Sequence, residues 1–133
     1  RPNLLIMQSP ERNWDRLPGS HPDHLAAGEA AICAVYPDAR NPWAHSELLA
    51  DEGLEPWAVK QVWIMSHPTS DHFVDITDHF DAKLAALRAH ESQTGHMDGL
   101  VDLLRDWGKR SGAAAGLPEG RLAESFLART MPI

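Results

Sequence analysis

His21-Pro22-Asp23-His24-Leu25-Ala26-Ala27-Gly28-Glu29-Ala30-Ala31-Ile32 decides the fold, because it joins two imidazoles and a carboxylate to the start of a helix. Pro22 suits the first helical position, where its missing N–H would have no partner anyway. Leu25, Ala26, Ala27, Ala30, Ala31 and Ile32 then supply strong helix formers and an apolar face. The spacing therefore predicts His21 at the N-cap and His24 in the first turn. The positive end of a helix dipole disfavours imidazolium and leaves the neutral ring that a metal requires. Asp23 can accept an imidazole N–H and fix its tautomer. His21, one turn back, can face a substrate oxygen. A bare His-x-x-His pair is a weak signal and also opens ordinary surface helices, so the surroundings decide.

Upstream, Leu4 to Gln8 is a short apolar run after Pro2 and predicts a buried parallel strand. A polar loop from Ser9 to Ser20 leads from it to the helix. Strand, loop, helix is the layout of an open α/β sheet, in which ligands gather at the carboxyl ends of the strands. Within that loop Glu11, Arg12, Asp15 and Arg16 are candidate substrate contacts and Trp14 a candidate sugar-stacking face. The alternative is a solvated loop with one packed indole. Tyr36-Pro37-Asp38 ends the helix, since proline is incompatible with its interior. Asn41 to Trp57 is a proline-flanked connector with a short helix over Ser46–Glu52, long enough to carry a lid or an interface.

Downstream, Val59 to Ser66 and Phe73 to Ile76 predict two further strands. Between them His67-Pro68-Thr69-Ser70-Asp71-His72 nearly spells the His-x-His-x-Asp-His metal motif of metallo-β-lactamase-fold hydrolases. Thr69 stands where the middle histidine belongs and no glycine-rich turn follows, so we read the segment as a strand-to-strand loop. Thr77 or Asp78 can cap the next helix, which extends to about His90 with Phe80, Leu84 and Leu87 on one face. His90 and Gln93 close it. Met97 to Trp107 is amphipathic, with Met97, Leu100, Val101, Leu103, Leu104 and Trp107 marking a buried face. Lys109 to Gly116 continues as a helix or forms a loose turn. Gly120 to Leu127 reads as a last strand before a frayed end.

At 133 residues the chain is expected to form one domain, and 43% hydrophobic with 23% charged residues is ordinary for a globular protein. A formal net charge of −7 with scattered basic residues argues against nucleic acid or an anionic membrane as partner. No apolar run approaches a transmembrane span, and a cytoplasmic location is expected. Cys33, the one cysteine, lies in the apolar run of the first helix and is expected to be a buried, inert thiol.

Three stretches together resemble one family. Arg1-Pro2-Asn3-Leu4-Leu5-Ile6-Met7 and His21-Pro22-Asp23-His24-Leu25-Ala26-Ala27-Gly28-Glu29-Ala30-Ala31 look like the second half of the LmbE-like (PIG-L) zinc-dependent N-deacetylases. Lys83-Leu84-Ala85-Ala86-Leu87-Arg88-Ala89-His90-Glu91-Ser92-Gln93 resembles the family helix that ends in His-x-Ser/Thr-Gln. The flavour is that of the actinobacterial members grouped with the mycothiol-pathway deacetylases and amidases. The resemblance implies an α/β, Rossmann-like layered fold with a mostly parallel sheet, of which residues 1–133 form the C-terminal part of a single domain. It implies Zn2+ as cofactor, with His24 as a metal ligand, His21 as the group that stabilises the oxyanion, and Asp23 as the acid that orients its neighbours. Arg12, Trp14, His90 and Gln93 become candidate substrate contacts. The family's Ala-His-Pro-Asp-Asp-Glu motif, which brings two further ligands and the general base, has no counterpart here. An N-terminal segment or a second polypeptide is expected to supply it. The implied substrate is a small N-acetylated amino sugar or a related amide conjugate, and a homo-oligomer is compatible with this reading. The alternative is a non-catalytic half that completes a shared core with a partner polypeptide.

Overall fold

The short apolar runs become strands because each buries one face against a helix and pairs with a neighbour far away in sequence. The computed structural model describes residues 1–132. Four strands, β1 (Leu4–Met7), β2 (Gln61–Met65), β3 (His72–Asp75) and β4 (Ala123–Thr130), form one sheet in the order β1-β2-β4-β3. Five α-helices accompany them: α1 (Pro22–Val35), α2 (Ser46–Glu52), α3 (Phe80–Arg88), α4 (Glu91–Thr94) and α5 (Leu100–Ala114). The layered α/β class is therefore the one expected. The parallel character expected of the sheet is confined to β1 and β2, which pair Leu4 with Gln61 through Met7 with Ile64. The next pair, β2 with β4, is antiparallel, from Gln61 with Thr130 to Met65 with Phe126.

The described chain falls into two compact units, residues 1–71 with residues 126–132, and residues 72–125. In the first, Met7, Val35, Val59 and Val62 are buried together, with Leu5, Ile32, Trp57 and Ile64 packed on them. β1 and the last turn of α1 meet in this core. The helix over Ser46–Glu52 forms where the sequence predicts it and ends at Gly53, whose φ of 66° is the left-handed conformation glycine adopts without steric cost.

In the second unit Phe80, Leu100, Leu104 and Leu122 form the core, with Leu84 and Leu87 against them. The apolar face read for the helix from Phe80 is therefore correct, but its ends are not. Thr77 does not cap α3. Its backbone N–H and its hydroxyl both donate to Asp75 Oδ1 (2.9 and 2.7 Å), and its hydroxyl oxygen accepts the Leu122 N–H (2.9 Å). α3 stops at Arg88, and His90 instead stands at the N-cap of the one-turn α4 that contains Gln93.

α5 runs on past the point where the amphipathic pattern ends, because Gly108 and Gly112 face the strand that follows. A methyl group at Gly112 would lie 2.5 Å from the Arg121 carbonyl oxygen, and one at Gly108 would lie 3.1 Å from Leu122 Cβ. The close approach offsets the roughly 1 kcal/mol that each glycine costs a helix interior. β4 is the last strand the sequence predicts, but it starts at Ala123 and, where a frayed end is expected, stays paired with β2 as far as Thr130. Two longer helices, α3 and α5, separate β3 from β4, where a βαβ unit would have one. The bond from Ile76 N–H to the Leu122 carbonyl (2.8 Å) sets the start of β4 beside the end of β3.

Asp75 fastens this corner. Its carboxylate takes the Arg121 Nε–H as well as the Thr77 donors, and these bonds hold its pKa well below the usual carboxylate range. A native carboxyl that binds protons less readily than the unfolded chain stabilises the fold above the unfolded value, about 3.9, and loses that contribution as pH falls below it. Asp75→Asn should therefore lower the thermal midpoint at neutral pH. In thermal melts across pH, its deficit against the unsubstituted protein should close progressively below about pH 4.

Candidate functional site

The loop between β1 and α1 and the first turn of α1 carry the HPDH residues, beyond the carboxyl end of a strand as the sequence predicts. Helix α1 begins at Pro22 with His21 at the N-cap. Proline biases the residue before it toward extended backbone, and His21 has φ −57° and ψ 141°. From there its Nδ1 accepts the Asp23 backbone N–H at 3.2 Å, satisfying one of the donors left open at a helix start. A ring nitrogen that accepts an N–H carries no proton, so the contact favours the neutral tautomer with its proton on Nε2. The Asp23 carboxylate lies 3.6 Å from the same Nδ1. Its main chain, more closely than its side chain, sets the His21 tautomer. The side chains of His21 and Asp23 are 60% and 87% exposed, so the Nε2–H is open to a ligand. The His24 ring lies 6.0 Å from that of His21, centroid to centroid, and tilted by 60°.

α1 is seated by Gly28. A Cβ there would come within 2.7 Å of the Gln8 carbonyl oxygen, the Ser9 carbonyl carbon and the Pro10 nitrogen. The helix thus packs backbone against backbone on the chain leaving β1, which fixes where its N-terminus, and so His21 and His24, can stand. The rest of the loop folds on itself. Ser20, 5% exposed, accepts the Asn13 N–H at 2.8 Å, and Asn13 Oδ1 accepts the N–H groups of Asp15 and Arg16, each at 3.1 Å. Trp14 is not the packed indole of the alternative reading: it is 79% exposed, with the Arg12 guanidinium 5.6 Å from its ring centroid.

The lactamase-like segment is a loop from His67 to Asp71, with His72 opening β3, and its Asp71 and His67 are engaged elsewhere. Asp71 accepts the Ala128 N–H (2.8 Å) and an Arg129 guanidinium N–H (2.6 Å), which draw its pKa down. His67 is bonded to Glu11 and Thr69. Cys33 is half-buried instead of buried; its own burial and the Glu29 carboxylate 3.7 Å away push the thiol pKa up. His90 and Gln93 belong to the second unit, in and beside α4. That unit also holds a groove of about 310 Å³ between the end of α5 and the turn before β4, lined by Lys109, Leu117, Glu119 and Arg121. Its Arg121 is committed to Asp75, and it contains none of the candidate residues.

No three or more His, Cys, Asp or Glu side chains among the described residues are grouped to hold a metal ion. Catalytic zinc takes three protein ligands, so the described chain does not present a full donor set. His24 can contribute one nitrogen to a shared one. Among the described residues no helix is long and apolar enough to cross a membrane.

The solved N,N'-diacetylchitobiose deacetylase from Pyrococcus horikoshii, in complex with its inhibitor, matches 98% of this chain and 46% of its own, with a TM-score of 0.73 and 28% identity. The diacetylchitobiose deacetylase of Thermococcus kodakarensis is 38% identical over 93 residues, 70% of this chain and 33% of that protein. Over these stretches the chain is similar to the diacetylchitobiose deacetylases. A conserved protein from Thermus thermophilus shares the fold over 100% of this chain and 53% of its own, with a TM-score of 0.67 and 25% identity. The chain thus spans between a third and about half the length of the proteins it matches. No family model matches it.

The deacetylase-like fold makes the Gly28 contact a direct test of how the HPDH turn is held. Alanine is worth about 1 kcal/mol more than glycine in a helix interior, yet Gly28→Ala should destabilise the protein by about 1–3 kcal/mol through overpacking. Urea denaturation reads the sign.

Proposed function

We propose that this chain is the HPDH-bearing part of a metal-dependent N-deacetylase that removes an acetyl group from an N-acetylated amino sugar, or cleaves a related amide conjugate. The observation that carries the reading is the His21 ring, exposed at a helix start with its Nδ1 accepting the Asp23 N–H, in a chain similar to diacetylchitobiose deacetylases. His24 donates one nitrogen to a zinc ion whose other ligands, with the general base, come from an N-terminal segment or a second polypeptide. When bound, that ion supplies an acidified water and polarises the acetamide carbonyl.

His21 hydrogen-bonds through its Nε2–H to the carbonyl oxygen as that oxygen gathers negative charge. The bond strengthens as charge develops, which is what makes it catalytic and not merely a binding contact. Asp23 holds the ring from behind through its backbone N–H, so no proton has to shift before the donor can act. Trp14 offers an apolar ring face to a sugar and Arg12 polar donors beside it. The actinobacterial mycothiol-type specificity and a cytoplasmic location are the finer form of the same proposal.

A second reading rests on β1. It is the outermost strand of the sheet, with one edge unpaired by any described strand, and Ile6 on it is 49% exposed. Such edges are normally covered, and the solved relative is about twice as long as this chain. In this reading the chain is a non-catalytic half that completes a core shared with a partner polypeptide.

One experiment separates the two in the assembled protein, meaning the chain together with whatever supplies the missing donors. His21→Ala should lower turnover of an N-acetylglucosaminide about a hundredfold or more with zinc retained, since one oxyanion donor is worth about 3–4 kcal/mol. His24→Ala should lose zinc. Stoichiometric zinc and unchanged turnover in both variants would favour the non-catalytic half.

A further inference from the structure

The chain has two His-Pro steps, His21-Pro22-Asp23 and His67-Pro68-Thr69, and both fold the same way. In each, the imidazole Nδ1 accepts the backbone N–H of the residue after the proline, at 3.2 Å. Proline favours extended backbone at the histidine and has no N–H of its own, so the next N–H is the first donor the ring can reach. Both rings therefore hold their proton on Nε2. At His21 that N–H is exposed. At His67 it is engaged: Nε2 lies 3.2 Å from Glu11 Oε2. The His67 side chain is 9% exposed and that of Glu11 75%, so a buried ring grips an exposed carboxylate on the loop that leads to α1. The Thr69 hydroxyl adds a second contact to His67 Nδ1, at 3.0 Å. Ser66, just before His67, has a φ of 57°, a left-handed conformation uncommon outside glycine that turns the chain sharply at the end of β2.

We propose that His67 is a positioning residue for the site at the head of α1: through Glu11 it holds the first half of the loop, and with it Arg12 and Trp14, in place for the sugar ring. The identity of the ligand rests on the deacetylase reading; the latch does not. Glu11 is set in a tight turn in which its N–H reaches Ser9 Oγ at 3.1 Å and the Ser9 hydroxyl reaches the Glu11 carbonyl at 3.2 Å. The second half of the loop is fastened separately through Asn13 and Ser20. Arg12 and Trp14 stand where the two fastenings meet. An indole held in water in advance spares a ligand the entropy of ordering it.

The test uses the full chain and three variants, Glu11→Ala, Glu11→Gln and His67→Phe. Hydrogen–deuterium exchange in residues 9–14 should be several-fold faster in Glu11→Ala and His67→Phe, with α1 and β2 unchanged. Glu11→Gln should keep the protection, because its amide oxygen still accepts the Nε2–H. In the assembled protein His67→Phe should raise KM for an N-acetylglucosaminide about two- to tenfold at unchanged kcat. Unaltered exchange in Glu11→Ala, or equal loss in Glu11→Ala and Glu11→Gln, would overturn the proposal. If His67→Phe does not fold, Glu11→Ala, which alters an exposed side chain, decides alone. If the unsubstituted assembled protein hydrolyses no amino-sugar amide, the deacetylase reading falls while the exchange result still judges the latch.

Discussion

The contact of Gly28 with the backbone of residues 8–10 is the constraint on which the candidate site depends. A helix N-terminus is useful only where it stands, and here the chain leaving β1 fixes its place with no side chain in between. That contact is rigid because neither side has a rotamer to change. From it follow the location of His21 and His24 and the length of loop that must span from Pro10 to Ser20. The last turn of α1 adds Val35 to the core that contains Met7, so the helix is held in its middle by the chain leaving β1 and in its last turn by β1 itself.

Chemistry at the head of α1 follows from proline. In most histidines the two ring nitrogens compete for the proton, and the winner depends on the second partner. The His-Pro step removes the competition by placing a backbone N–H against Nδ1. The same local rule makes His67 a donor, and burial turns that donor into a fastening and not a reactive group. Two copies of one dipeptide thus have two uses, separated by exposure.

How much of this was legible in the sequence depended on range. α1 was legible to its first residue because its signals, Pro22, the N-cap histidine and the alanine run, lie within a dozen residues. The Ser46–Glu52 helix and the three early strands were legible for the same reason. α5 beyond Trp107 was not, because Gly108 and Gly112 weaken a helix locally and are repaid only by Leu122 and Arg121. Thr77 looked like a cap, but its hydroxyl bonds Asp75 and Leu122, the latter 45 residues on. β4 was legible as a strand, but its last residues, through Thr130, looked like a fraying end because their partner, β2, is some sixty residues earlier. In the site, the HPDH residues could be read directly, whereas the link from Glu11 to His67 joins residues 56 apart. The repeated His-Pro step was the one sequence signal that pointed to it.

In the proposed deacetylase the head of α1 is one wall of a metal-dependent amide-hydrolysing site, with His24 as a ligand of the ion and His21 beside it as a donor. Anomalous diffraction at the zinc edge from crystals of the assembled protein tests it most directly. One zinc peak is expected at about 2.0–2.1 Å from a His24 ring nitrogen, with the His21 ring near it but not bonded. A zinc peak on His67 or elsewhere, or none beside His24 in zinc-loaded protein, would contradict it.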